Sequence, residues 1–420
     1  MSQNVETSRQ PSWLAWLRSP IGTSIVSLGI SQIIAWGTTI YALGTLGGPI
    51  AADTGWSRSL VFSGLTIGLL ASSLISTMIG KAIDRHGAQR IMSIGSILCA
   101  AALLIVAVAH HPAVYLFGWA LVGLGMRMSL YDAAFAALVQ IAPNRGRRAI
   151  SYLTLFGGFA SSVFWPIGHL LNAQVGWRTT LIIYALINLV VCLPLHWWGL
   201  ARREPPNAAK AQPGASPTSV IPEQRPLEGQ ARTLAIVLFG IVTSASAFVF
   251  GAMAVHLPAV LEASGLTAAA AVTLASIKGV FQVGGRLAEI LFGSRLHALD
   301  LGRISVVLMP ISFAVLLFGG ASFTTALTFI ILFGVSNGLV TIVRGAVPLA
   351  LFGSQGYGTV LGILATPYLL LNAVAPAVFA VLLDLWGYGV AEAVVLGVGA
   401  VSAIAMEIMS SWYRRNIKHG

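Results

Sequence analysis

Charge is what this sequence is short of. Only 9% of its 420 residues are Asp, Glu, Lys or Arg, and the acids number just 13; a globular chain carries about 25% charged residues. So little charge cannot cover the surface of a 44.0 kDa protein in water. Cysteine is scarce too. Cys99 and Cys192 stand alone in apolar surroundings, which leaves no disulfide framework and no metal-ligand spacing. The chain has no phosphate loop, zinc-protease helix, nucleophile elbow or nucleotide-binding fingerprint, which argues against an ATP-driven pump and against a membrane hydrolase. What it has in excess is apolar side chains, 56% of the total with a mean hydropathy of +0.84. That composition belongs to an integral membrane protein.

A bilayer-spanning helix needs about 20 mostly apolar residues. Twelve such segments are expected, at 21–50, 59–80, 91–109, 113–141, 149–172, 178–199, 233–261, 267–288, 303–320, 322–350, 357–383 and 388–413. Their alanine, glycine and serine content suits close helix packing in lipid, including the runs Gly44 to Gly48 and Gly157–Gly158. The first segment is expected to be a retained span, because no small-residue cleavage site follows it. Trp13, Trp16 and Arg18 ahead of it suit an interfacial anchor.

The net charge of +11 is explained by where the cations fall. With the N-terminus placed in the cytoplasm and the spans alternating, all 24 cations except Arg58, Arg178, Arg127 and Lys278 lie on the inside. Arg58 and Arg178 are outside; Arg127 and Lys278 lie within spans, where Asp132 and Glu407 balance them. This is the positive-inside pattern, and it explains the basic excess without nucleic acid as a partner.

The long polar stretch, residues 201–232, holds Pro205, Pro206, Pro213, Pro217, Pro222 and Pro226, the composition of an extended linker. It divides the chain into a cytoplasmic N-terminal segment (1–20), a six-helix bundle (21–200), the linker (201–232), a second six-helix bundle (233–413) and a tail (414–420). The halves echo each other: Gly80, Asp84 and Arg90 follow the second span, and Gly285, Glu289 and Arg295 follow the eighth at the same spacing. In each, acid and base are expected to pair across a short cytoplasmic turn. Repeated halves are a mark of secondary transporters.

The run from Gly80 through Asp84, Arg85 and Gly87 to Arg90 resembles the loop signature of the major facilitator superfamily, Gly-x-x-x-Asp-Arg-x-Gly-x-x-Arg. The second copy, Gly285, Glu289 and Arg295, is degraded, with Ile290 where the first has Arg85. Gly55-Trp56-Ser57-Arg58 and Gly176-Trp177-Arg178 resemble bacterial monocarboxylate and oxalate/formate-type porters. The resemblance implies an all-α membrane protein of 12 transmembrane helices in two pseudo-symmetric six-helix bundles, rocking around a central site with the repeated loops as a conformational gate. The superfamily's span-five antiporter pattern is broken, since Pro166 follows Trp165 and not glycine.

Charge inside the hydrocarbon is costly and usually functional. Lys278 lies eight residues before Arg286, about 12 Å along a helix, where a cation could meet an anionic head group or pair with a neighbouring helix. Arg127 and Asp132 share a span, but five helical residues leave their side chains about 140° apart, so each is expected to find another partner. Asp132 could carry a proton or serve as a fixed counter-ion. Gln32, Trp36, Tyr41, Tyr131, Trp165, His169, Gln282, Asn337, Tyr368 and Asn372 are candidates to line a mixed polar and aromatic cavity, though each alone also serves as packing glue. Arg344, near a span end, is read as an orientation signal.

The expected function is secondary active transport of a small solute, a monocarboxylate-like organic anion, across a bacterial inner membrane. Coupling to protons or a counter-substrate is expected, with no cofactor and no metal, in a monomer. The alternative is an efflux permease for a toxic or amphipathic compound; a channel or receptor fits the repeated halves less well.

Overall fold

The structure is a computed structural model and describes residues 13–204, 226–293 and 296–417. Its first half contains α1 (Trp13–Arg18), α2 (Pro20–Thr38), α3 (Ala42–Thr54), α4 (Arg58–His86), α5 (Ala88–Ala107), α6 (Pro112–Ser129), α7 (Tyr131–Ile141), α8 (Gly146–Gly158), α9 (Ala160–Ile187) and α10 (Leu193–Gly199). The second half contains α11 (Gly229–Ala263), α12 (Ala268–Phe292), α13 (Ala298–Phe318), α14 (Phe323–Phe352) and α15 (Tyr357–Ile417). No strand occurs among the described residues. Helix starts are set by side-chain caps: Ser19, Ser57, Thr267 and Ser322 each accept from a backbone N–H three residues on, satisfying donors that the helix itself leaves free.

Ten helical stretches are long and apolar enough to cross a membrane among the described residues. Two of them, Pro143–Gly199 and Tyr357–Arg415, run to 57 and 59 residues, each more than twice what one crossing needs. Both reverse at a glycine, Gly176 (φ 75, ψ 167) and Gly387 (φ 76, ψ 179), conformations that a side chain disfavours. Counted as two crossings each, they give the twelve spans expected. The outward faces are apolar, with Leu74 83% and Phe318 78% exposed, as lipid contact requires and water would not tolerate.

Several spans bend. Span one breaks between α2 and α3, span four at Leu130, and span five at Phe159. Some boundaries differ from expectation. Helix α11 starts at Gly229, inside the stretch read as linker, while residues 205–225 lie outside the described residues. Helix α12 runs on to Phe292, so Arg286 and Glu289 stand on a helix rather than in a loop. The apolar residues Leu287, Ile290, Leu291 and Phe292 extend it past the first charge.

Two apolar clusters fill each half. The cluster around α7 and α8 also takes in Tyr357 and Leu361 of the second half, so the halves share a core at the end where α4, α12 and α14 finish. That end carries most of the arginines. There α4 meets the first turns of α15 at backbone distance: a Cβ on Gly80 would stand 2.2 Å from the Gly358 carbonyl oxygen. Only hydrogen fits at that position. Gly80→Ala should therefore cost the closed arrangement about 1–3 kcal/mol, seen as a lower melting temperature in detergent. Gly48→Ala, whose added methyl meets nothing within 4 Å, should leave it unchanged; equal melting of the two variants would contradict the close approach.

Candidate functional site

The break in span four organises the centre of the molecule. Leu130 is extended (φ −84, ψ −168), so α6 ends at Ser129 and α7 starts afresh at Tyr131. Continuous helical geometry would keep Arg127 and Asp132 apart. The break instead brings Arg127 Nη1 to 3.1 Å from Asp132 Oδ2, with side chains 3% and 10% exposed, which corrects the expectation that each finds its partner elsewhere. Gln32 secures the same break: its amide donates to the Ser129 carbonyl at 2.7 Å, and its oxygen accepts from Trp36 Nε1 at 3.2 Å. Gln32 is thus a buried strut and not a cavity wall.

The other carboxylate oxygen of Asp132 reaches the second half. Arg344 Nη2 on α14 lies 2.9 Å from Asp132 Oδ1, and its guanidinium sits 3.7 Å from the ring centroid of Tyr368 on α15. Asp132, Arg344 and Tyr368 line a small pocket with Phe239, Thr243 and Leu361. Close by on α12, Arg286 is 2% exposed. It donates to the Thr154 carbonyl of α8 at 2.7 Å, to Thr341 Oγ1 at 3.3 Å and to the Gly338 carbonyl at 3.5 Å. All three acceptors are neutral. Tyr131 also donates to the Thr154 carbonyl, at 3.3 Å, and its ring lies 5.1 Å from Trp36 and 5.3 Å from Phe135, stacked on the latter. Tyr41 lies 6.3 Å from Trp36. The centre therefore gathers three guanidiniums, one carboxylate and an aromatic wall.

The remaining candidates are spread out. Lys278 is half-buried, its Nζ 5.6 Å from the ring centroid of Phe333, with no acidic partner among the described residues. Trp165 and His169 are exposed on one face of α9. Asn372 donates to the Ala247 carbonyl, tying α15 to α11, while Gln282 and Asn337 are partly buried on α12 and α14. No group of three or more His, Cys, Asp or Glu suited to a metal occurs among the described residues.

The repeated loops act across the halves rather than within them. Asp84 does not pair with Arg90; its carboxylate accepts from the backbone N–H of Gly358 and Thr359 and from the Thr359 hydroxyl, capping the start of α15. Glu289 meets Arg147 at 3.6 Å near the start of α8, and Arg147 also donates to the Leu296 and Gly293 carbonyls. The acid after span two meets span eleven, and the acid after span eight meets span five. Arg85 and Arg90 are exposed, Gly87 turns the chain at φ 86, and Gly285 packs on Val335. Arg295 lies outside the described residues. Contacts between the halves extend inward to Ser73–Thr366 and Thr154–Arg286. Among the described residues, no hydrogen bond or ion pair joins them nearer the opposite end, so the arginine-rich end is the closed one.

Residues 28–299 match the sequence model of the Major Facilitator Superfamily. The chain belongs to that superfamily. Among curated relatives, it is 24% identical over 229 residues to "Uncharacterized MFS-type transporter YcxA" of Bacillus subtilis (strain 168), covering 51% of each chain. It is 26% identical over 162 residues to "Multidrug resistance protein MdtL" of Klebsiella pneumoniae (strain 342), covering 38% of this chain and 40% of that one. The chain thus spans about half or less of the curated relatives it matches. Among solved structures, the human organic anion transporter MFSD10 (TETRAN) superposes with TM-score 0.70 at 17% identity, covering 93% of this chain and all of that one. The proton:xylose symporter XylE superposes at 0.66 and 15%, covering 92% and 94%; FucP in the outward conformation superposes at 0.68 and 14%, covering 93% and 99%. These likenesses are of fold.

Within this major facilitator fold, the residues that sequence reasoning missed are Arg344 and Arg286. Both were assigned to a cytoplasmic rim. Val347, Leu349, Leu351 and Phe352 after Arg344, like the apolar residues after Arg286, are the signal that each helix continues past the charge toward the rim and leaves the arginine inside. The Gly-Trp-Arg run before span six is structural: Trp177 Nε1 donates to Asp53 at 3.0 Å, and Arg178 donates to the Ala107 and Ala109 carbonyls. Removing one member of a buried ion cluster strands the others, at about 3–5 kcal/mol. Asp132→Ala should therefore melt far below wild type, and Asp132→Ala with Arg344→Ala should recover part of the loss. Strictly additive melting shifts would contradict the bridge.

Proposed function

We propose that the protein is a secondary transporter that moves a small organic anion, monocarboxylate-like, across a bacterial inner membrane by alternating access. The observation that carries this reading is the charge of the buried centre. Three buried guanidiniums gather there around a single carboxylate: Arg127 and Arg344 bind Asp132, and Arg286 lies close by with no acid of its own. A buried cation without a counter-ion is unfavourable, and Arg286 has only neutral acceptors. A carboxylate arriving there would replace the neutral Thr154 carbonyl with a charged acceptor that the planar guanidinium can hold through two parallel bonds.

Asp132 takes the coupling role in this reading. Protonating it removes the charge that holds Arg344, and that ion pair crosses between the halves. Proton uptake therefore loosens the same boundary that the arriving anion neutralises. Asp84 and Glu289 form the cytoplasmic gate, at the end we assign to the cytoplasm from its arginine content. The protein works as a monomer with no cofactor. The aromatic wall of Trp36, Tyr41 and Tyr131, and the name of the Klebsiella relative, favour efflux of an amphipathic compound as the second reading. A sensitivity profile of a knockout strain discriminates the two.

The test is uptake of a labelled monocarboxylate into proteoliposomes. Arg286→Ala, Arg127→Ala and Lys278→Ala should each reduce uptake by about tenfold or more, since a hydrogen bond to a charged group contributes roughly 1.5–3 kcal/mol. Asp132→Asn should abolish acceleration by a proton gradient while sparing counterflow exchange. Unaltered carboxylate uptake in all three cation variants would sink the anion site.

A further inference from the structure

The cations at the arginine-rich end divide into two sets. Several are neutralised: Arg147 by Glu289, Arg145 by Glu204, Arg414 by Asp300, and Arg303 by both Asp300 and Glu407; Arg148, Arg232 and Arg415 are scattered and have no acidic partner among the described residues. Around the loop between α4 and α5 the cations are not neutralised either. Arg85, Arg90, Arg202 and Arg203 are exposed and have no acidic partner among the described residues. They also lie together. A Cβ on Gly87 would stand 3.7 Å from Arg203 Nη2, and the Gln89 amide donates to the Trp197 carbonyl, joining the start of α5 to the end of α10.

Apolar surface continues directly from this patch. Arg90 heads a stripe at i, i+4, i+7 and i+14 along α5, in which Ile94 is 51% exposed, Ile97 49% and Leu104 38%. Trp197 and Trp198, 49% and 71% exposed, flank the same corner, the side chains that favour the headgroup level of a bilayer. A soluble phosphate would use the arginines and ignore the stripe. A phospholipid would use both, with its phosphate on the guanidiniums and its acyl chain along α5.

We propose that this corner is a seat for an anionic phospholipid, with the headgroup held by Arg85, Arg90, Arg202 and Arg203. Arg85 directly follows Asp84, so the lipid anchors the loop whose carboxylate caps α15 across the boundary between the halves. The seat does not depend on which solute is carried.

Native mass spectrometry of the purified full chain tests it, titrating phosphatidylglycerol and phosphatidylcholine with the same acyl chains. Wild type should retain phosphatidylglycerol preferentially, and affinity should fall about fivefold for each arginine neutralised. Arg85→Gln with Arg90→Gln, at the α4–α5 turn, and Arg202→Gln with Arg203→Gln, after α10, are on separate segments, so either pair suffices if the other melts. Arg303→Gln with Arg414→Gln removes the same charge from the neutralised side and should retain the lipid. Equal loss in that control, no headgroup preference in wild type, or displacement of the lipid by inorganic phosphate would each overturn the seat. Binding of an acidic peptide in neutral bilayers, lost in the same variants, would assign the corner to a protein partner and overturn it too.

Discussion

Asp132 holds two guanidiniums at once, one from its own half and one from the other, and much of the centre is arranged so that it can. Three ions out of water are tolerable only with close geometry and well-supplied hydrogen bonds. The break at Leu130 supplies the geometry by turning Arg127 and Asp132 toward each other within one span. Gln32 compensates that break by bonding the Ser129 carbonyl, and Trp36 in turn fixes Gln32. The Tyr368 ring backs the far guanidinium. A cluster that includes both halves joins them by an interaction that protonation can remove, unlike an apolar contact.

Around this bridge the two halves are closed by contacts that repeat with the symmetry of the fold. Each repeated acid reaches the first turn of a span in the opposite half, Asp84 by backbone hydrogen bonds and Glu289 by an ion pair. The glycine at Gly80 lets backbones touch at one of these places; the arginine at 286 reaches the Thr154 carbonyl deeper in. Polar contacts beside a small shared apolar patch, all located at or inward of one end, can be exchanged for others without unfolding the core of either half, which is what rocking halves require.

The twelve spans, the two halves and the repeated loop were legible in the sequence because each rests on local composition or spacing. The reversals at Gly176 and Gly387 were legible from the same pattern, since both fall between expected spans. The geometry of the centre was not. Periodicity assumes an unbroken helix, and nothing in the sequence around Leu130 announces a break, so the helical repeat alone sets Arg127 and Asp132 apart. Arg344 and Arg286 were lost for a related reason: a charge near the expected end of a span is assigned to the rim by default. The pairing of Asp84 with Arg90 failed because a loop was read in isolation, whereas its acid answers to a helix 274 residues away.

In the proposed function, the buried centre attracts a small organic anion because its cations outnumber its carboxylate. The most direct measurement is uptake into wild-type proteoliposomes of a monocarboxylate and of its neutral amide, matched in size and shape. Saturable uptake of the carboxylate, competed by other carboxylates and not by the amide, is the predicted result. Equal transport of both, or of the amide alone, would contradict it.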